Sequence, residues 1–421
     1  MQGTCFSKFQ RWSALSLLNL CLVAVLGVLL RYKIAFSLPS INYNFLLEAH
    51  FNFAFSGWIS TAIFTALVYI LAQSGYSVGK IYTYQFRLAQ TASFGMLLSI
   101  SLEGYELLSL FFSMLFILFS WWFAFQYWKD VDKSDLPVTV RRWAKAALFF
   151  FVLSGMGILT LAYLKSNRID SPEFYFNAIY LFLHFQYNGW FSFGVISLFF
   201  HTINNLNMVG EEMRGKLFFR LMLAACIPAY CLSLLWMNPP TWIFTIASAA
   251  AILLLGALIL FYLLIRRSWV HWTLLQFQTK LLWRIAFIAF VIKLILQVLS
   301  VIPGLGRLAF GFRPVIIAYL HLVMLGFISF FLIGFFVQQK LFYATSWMWK
   351  KGLFIFITGV VLMELLLMIQ SLLAINNSIW SFTPVLLFII ATILLGGVFL
   401  MFSAQMRFSK NDLMKFPGKN R

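Results

Sequence analysis

The chain has 421 residues, of which 62% are hydrophobic and only 10% charged, with 50 phenylalanines. A soluble domain of this length has nowhere to bury so much apolar surface, so the composition describes a protein that crosses a membrane many times. The formal net charge of +19 does not point to nucleic acid, because Lys and Arg of polytopic proteins gather in cytoplasmic loops and meet anionic lipid there.

A crossing helix needs about 20 apolar residues. On that rule the chain divides into twelve spans, near 13–31, 45–71, 83–102, 107–127, 144–164, 175–202, 217–236, 241–265, 282–302, 314–338, 352–374 and 381–404. The expected fold class is therefore all-α, a single transmembrane domain with no soluble part. The first span follows Lys8 and Arg11 and lacks a small-residue cleavage site, so it reads as an uncleaved span. Cys5, Cys21, Cys226 and Cys231 show no metal-ligand spacing.

Charge sets the expected orientation. The two termini and the loops after even-numbered spans hold 24 of the 31 Lys and Arg residues; the loops after odd-numbered spans hold 6, and Lys293 lies inside a span. This asymmetry predicts both termini in the cytoplasm of a cell with the protein in its inner membrane.

One phrase recurs three times. Ala49–Ser60 reads AHFNFAFSGWIS, Tyr180–Phe193 reads YLFLHFQYNGWFSF, and Leu320–Phe330 reads LHLVMLGFISF. Each copy has a histidine, a mostly apolar or aromatic stretch, Gly-Trp or Gly-Phe, and a serine two residues later. His50, His184 and His321 are separated by 134 and 137 residues and fall in spans 2, 6 and 10. The chain therefore reads as three four-helix pseudo-repeats, about 1–130, 131–265 and 266–421. All three histidines lie roughly 10–14 Å below the outer surface at 1.5 Å per residue.

An intramembrane histidine costs free energy unless it has a partner, which makes it a functional candidate. No Cys or carboxylate completes a metal shell beside these three, apart from Glu48 near His50. Heme suits them better: imidazole is a common axial ligand, and the macrocycle takes an apolar lining such as Phe51, Phe53, Phe55, Phe185 and Phe327. Gly57, seven residues after His50, is placed on the same face, where it would let a flat ligand approach. No Cys-x-x-Cys-His is present, so any heme is non-covalent.

This layout resembles subunit I of the heme–copper oxidases, whose twelve spans form three four-helix arcs with metal ligands on spans 2, 6, 7 and 10. The resemblance covers the whole chain in layout and short stretches in sequence. It implies that His50 and His321 ligate one low-spin, b-type heme, that His184 matches a copper ligand, and that Tyr319 stands where the high-spin heme has its histidine. Span 7 has no histidine, so the three-histidine copper site cannot form. Arg307 and Arg313, just outside span 10, are placed to meet heme propionates. Tyr187 is a second tyrosine beside the centre, three residues after His184. The span-10 stretch is also similar to the NnrS-type heme- and copper-containing proteins, although their His-x-His-Glu-Met stretch is absent. The implied tasks are electron transfer or the binding or sensing of O2 or NO, with a quinol or a heme protein as electron donor; an enzyme of this type would be an oxidoreductase.

Two other function classes fit a twelve-span chain: a secondary transporter, and a structural or assembly relative of the oxidase without cofactors. Repeats of five or six spans and broken half-helices would favour transport; the four-span interval does not. Lys293 and Glu364, both near mid-membrane, are expected to form an ion pair. His201 and His271, the latter between Trp269 and Trp272, read as structural, and the basic C-terminal segment as a lipid-surface signal.

Overall fold

The structure, a computed structural model, describes residues 2–205, 212–306, 312–378 and 380–415. Helix makes up 87% of it, and no strand occurs among the described residues. We label the helical rods in chain order: α1 (Gln2–Ala35), α2 (Tyr43–Gln73), α3 (Ile81–Glu103), α4 (Leu107–Asp132), α5 (Val138–Ser166) and α6 (residues 172–205). There follow α7 (Glu212–Cys226, extended by 3₁₀ turns over Pro228–Met237), α8 (Thr241–Ser268), α9 (Phe277–Leu299), α10 (Arg313–Gln338), α11 (Trp347–Ile375) and α12 (Thr383–Lys415).

Ten of these are long and apolar enough to cross a membrane. The two that do not reach that mark are α3 and α6. The first carries Gln85, Arg87 and Gln90; the second carries Gln186, Tyr187 and Asn188 at its middle. Most of these polar groups face protein: Gln85, Gln186 and Asn188 are 0%, 2% and 6% exposed. A polar group that is covered by neighbouring helices and hydrogen-bonded does not meet lipid.

Consecutive helices pack on one another, and α12 packs along both α11 and α1, which brings the end of the chain back to its beginning. Three helices occupy the middle: α2, α6 and α10. The apolar window of α2 is 94% buried, whereas that of α8 is 28% buried. The second half of α10, Phe330–Val337, is buried at every residue. Aromatic stacking fills this core, with Trp283 on Phe331 at 4.7 Å and Trp190 on Phe151 at 4.4 Å between ring centroids.

The repeated phrase has a structural meaning. Each copy contains a π-helical segment: Ala54–Ser60, Phe185–Phe191 and Leu322–Ser329. In a π turn the carbonyl five residues back comes within reach of a side chain. Hydroxyls take it in all three helices: Thr61 to Ser56 O (3.1 Å), Ser192 to Tyr187 O (2.6 Å) and Ser329 to Met324 O (2.7 Å). The tryptophans tie the three segments together. Trp190 Nε1 donates to Ser60 Oγ at 3.1 Å, and Trp58 Nε1 donates to Ser329 Oγ at 2.8 Å. Phe327 holds the third equivalent position and has no N–H to give. The glycines let neighbours close in: a Cβ on Gly189 would lie 2.3 Å from Phe150 Cβ.

The expected span in α7 is one membrane-length rod that changes helix type part-way. Pro228 has no N–H and cannot continue an α-helix, so the chain changes to 3₁₀ turns there.

Candidate functional site

His50 lies on α2 and His321 on α10, two of the three central helices, and both rings come near Arg31 of α1. His50 Nδ1 lies 3.1 Å from Val23 O on α1. Gly27, one turn on from Val23, also faces the ring: a Cβ there would lie in ordinary contact with His50 Cε1, at 3.4 Å. His321 Nδ1 lies 2.9 Å from Ile317 O, one turn back on its own helix. A carbonyl oxygen only accepts, so Nδ1 carries the proton in both rings and Nε2 is left as a bare lone pair. Neither Nε2 has a hydrogen-bond partner among the described residues. This tautomer, fixed by a backbone carbonyl behind the ring, is the one metal-binding histidines adopt.

Both rings are half-buried, and no residue of Arg313–His321 is buried, in contrast to the second half of the same helix. Arg31 stands near Arg313 and Tyr43. Arg313 Nη2 donates to Tyr43 Oη at 3.2 Å, with the guanidinium 5.4 Å from the ring centroid. The ion pairs among the described residues, Lys145–Asp132 and Lys165–Glu106, leave both arginines without a carboxylate. Two guanidinium groups held together without a counter-ion form a place for an anion. Arg31 was legible in the sequence only as one of the six basic residues of the odd-to-even turns, and Arg307 lies outside the described residues.

His184 is differently placed. It is 1% exposed, and both ring nitrogens are engaged. Nε2 lies 2.8 Å from Cys226 O, and Nδ1 lies 3.1 Å from Asn188 Nδ2. Pro228 explains the first bond. Where α7 tightens to 3₁₀ turns, Tyr230 N donates to Ile227 O, so the Cys226 carbonyl loses its α-helical partner and takes the imidazole N–H instead. A metal at His184 would have to displace one of these bonds. Among the described residues no group of three or more His, Cys, Asp or Glu side chains is placed to hold a metal ion.

Tyr187 and Tyr319 meet edge to face, ring centroids 5.9 Å apart, and Tyr187 lies 6.5 Å from the His184 ring. The two hydroxyls are close enough to interact, yet that of Tyr319 is buried without a well-formed hydrogen bond. Gly57 does not face the histidines. The π segment adds a residue to the turn and rotates the helix, and the space over Gly57 is taken by the Phe53 ring, 2.6 Å from a Cβ built there. The glycine against His50 is Gly27. Of the expected lining, Phe53 and Phe327 are fully packed into the core (0% and 1% exposed), and Phe51 borders it.

The ion pair expected between Lys293 and Glu364 is not formed. Lys293 Nζ donates to Gln297 Oε1, one turn on in its own helix, at 3.0 Å, beside a cavity of ≈ 10 Å³ that Asn188 of α6 and Cys226 of α7 also line. Glu364 sits on α11, which packs on α10 and α12, and its Oε1 is buried without a partner. The helix α10 stands between the two.

No protein-family model matches the chain, and no curated protein matches it.

Proposed function

We propose that the protein is an integral membrane heme-binding protein with the layout of heme–copper oxidase subunit I, holding one low-spin heme between His50 and His321. On this reading α3 and α6 also cross the membrane, which gives twelve spans. They fall into three arcs, α11–α12–α1–α2, α3–α6 and α7–α10, each ending on a central helix. The observation that carries the proposal is the contrast in tautomer. His50 and His321 are half-buried and both keep Nε2 free, while His184 is buried and spends both nitrogens on the protein.

The residues present suit the group. His50 and His321 would supply the two axial nitrogens, with Val23 O and Ile317 O fixing their rings. Arg31 and Arg313 offer the charge that two propionates require. A bound heme would supply one-electron chemistry or the binding of a diatomic gas. Tyr187 and Tyr319 fill the region between His184 and α10, which supports a single heme over two. Heme of the b type, held without covalent bonds and reduced by a quinol or a heme protein, is the form this reading takes.

The test is a dithionite-minus-oxidised visible spectrum of the purified protein with a pyridine hemochrome count. The expected result is a sharp reduced α-band at one heme per chain, lost in His50→Ala and in His321→Ala and kept in His184→Ala. Protein without heme from cells able to insert it would overturn the proposal and leave transport or a scaffolding role.

A further inference from the structure

Lys293 stands on α9, one of the membrane-length helices, and is 1% exposed. A lysine in a membrane helix usually carries its ammonium along its flexible stem to the nearest water. This one is held inside, with no carboxylate in ion-pair range among the described residues. Its Nζ donates to Gln297 Oε1 at 3.0 Å. The Phe290 ring, its centroid 5.7 Å from Nζ, offsets part of the cost of a charge there without neutralising it. A buried ammonium is expensive in a membrane interior unless a counter-charge lies beside it.

Next to this amine is the cavity of ≈ 10 Å³, where four helices meet. Asn188 comes from α6, Met222 and Cys226 from α7, Leu254 from α8, and Lys293 and Gln297 from α9. A space of this size seats one water-sized particle, which excludes diatomic and larger ligands. Asn188 is fixed within the wall: its Nδ2 serves His184 Nδ1, and its Oδ1 is buried without a partner. The Cys226 carbonyl is already taken by His184. Gln297, one turn nearer the end of α9, is half-buried, whereas the rest of the wall is buried.

Two occupants fit such a seat: a water beside a neutral amine, or a monoatomic anion beside an ammonium. Hydroxide is not a third, because it would take the ammonium's proton and become the first. The wall favours the anion. Its unpaired acceptor is Asn188 Oδ1. Against it stand the two ammonium N–H groups that Gln297 Oε1 does not take, and the second N–H of the Asn188 amide. A seat with surplus donors and one positive charge suits an ion that only accepts. The remaining wall is apolar, and a buried water, with two protons of its own to place, needs about three polar partners.

We propose that this cavity is a halide site, in which one chloride ion is the counter-charge of a protonated Lys293 and joins α6, α7 and α9 where they meet. Chloride is slightly wider than a water, and the half-buried Gln297 is the part of the wall that can give way to it. Carboxylate and phosphate ions are too large for the seat. The site lies on other helices than the pair Arg31 and Arg313, and it does not depend on the heme reading.

The experiment measures chloride carried by the protein and the stability that chloride confers. Protein purified in potassium chloride is passed into potassium gluconate by gel filtration, denatured, and assayed for released chloride by ion chromatography. Thermal unfolding is followed in both salts. A slowly exchanging site should release one chloride per chain, and a fast one should unfold at a lower temperature in gluconate than in chloride. Either signature should vanish in Lys293→Met, which removes the charge, and in Gln297→Glu, which sets a fixed carboxylate where the amide now accepts from Nζ. The second variant gives the ammonium a counter-charge of its own, so it keeps the test valid if the first fails to fold; circular dichroism and gel filtration would check both. A parent with neither signature would leave a neutral amine beside water and overturn the site. A signature that survives both variants would overturn it too, and its loss in Arg313→Met instead would place the ion at the arginine pair.

Discussion

At the residue scale the informative contrast is among histidines that look alike in the sequence. His50, His184 and His321 sit in the same phrase, and spacing alone gives them equal standing. Their hydrogen bonds separate them: a carbonyl behind Nδ1 leaves Nε2 free in two, and a pair of partners ties both nitrogens in the third. No pattern in the chain announces this, because it depends on where Val23 O and Cys226 O fall in space. Arg31 was hidden for the same reason, being an ordinary loop-proximal charge until α1 places it beside Arg313. A ferric heme carries one more positive charge than a ferrous one, so cations near it favour the reduced form. Arg31→Ala should therefore lower the midpoint potential. A charge near the ring at an effective dielectric of about 20 is worth on the order of 1 kcal/mol, which is roughly 40 mV for one electron. Arg313→Ala should act in the same direction. A potentiometric titration that finds neither variant shifted would place the heme away from this pair of arginines.

At the element scale the repeated phrase is an interhelical fastener as much as a ligand carrier. The sequence displays its parts, Gly, Trp or Phe, and Ser, but not the π turns that aim them. A π turn leaves no periodic signature of its own, and its extra residue is why Gly57, placed by α-helical counting on the His50 face, lies elsewhere. Ser329 serves twice, donating to Met324 O within its helix and accepting from Trp58, while Ser60 accepts from Trp190. Trp58→Phe and Trp190→Phe each remove one bond between buried central helices and leave the ring packing nearly intact. Interhelical bonds of this kind are worth about 0.6 kcal/mol on average and up to about 1.7. Each substitution should cost an amount in that range, read from the midpoint of unfolding in mixed micelles. Ser329→Ala in the Trp58→Phe background should add less than it does alone, because the two act through one bond. Full additivity would show that the indole and the hydroxyl do not stabilise each other.

At the scale of the whole molecule, the class and the approximate helix ends were legible from hydropathy, since lipid demands long apolar helices and the chain supplies them. The pairing of α12 with α1 was not, because contacts between distant segments leave no mark in a single sequence. Nor was the independence of Lys293 and Glu364: similar depth in the membrane does not bring two side chains together when a third helix stands between them. Orientation remains an inference from charge. Lys and Arg on the cytoplasmic side meet anionic lipid and resist translocation, and the 24-to-6 division puts the α4–α5 turn inside and the α5–α6 turn outside. These two turns are close in sequence and separated by one helix, so they make a clean pair of reporters. In a background without the four native cysteines, a cysteine at Asp135 should stay unlabelled by a membrane-impermeant maleimide in intact cells and react after lysis. One at Asn167 should react in intact cells. The reverse pattern would invert the molecule and move the histidines to the cytoplasmic half.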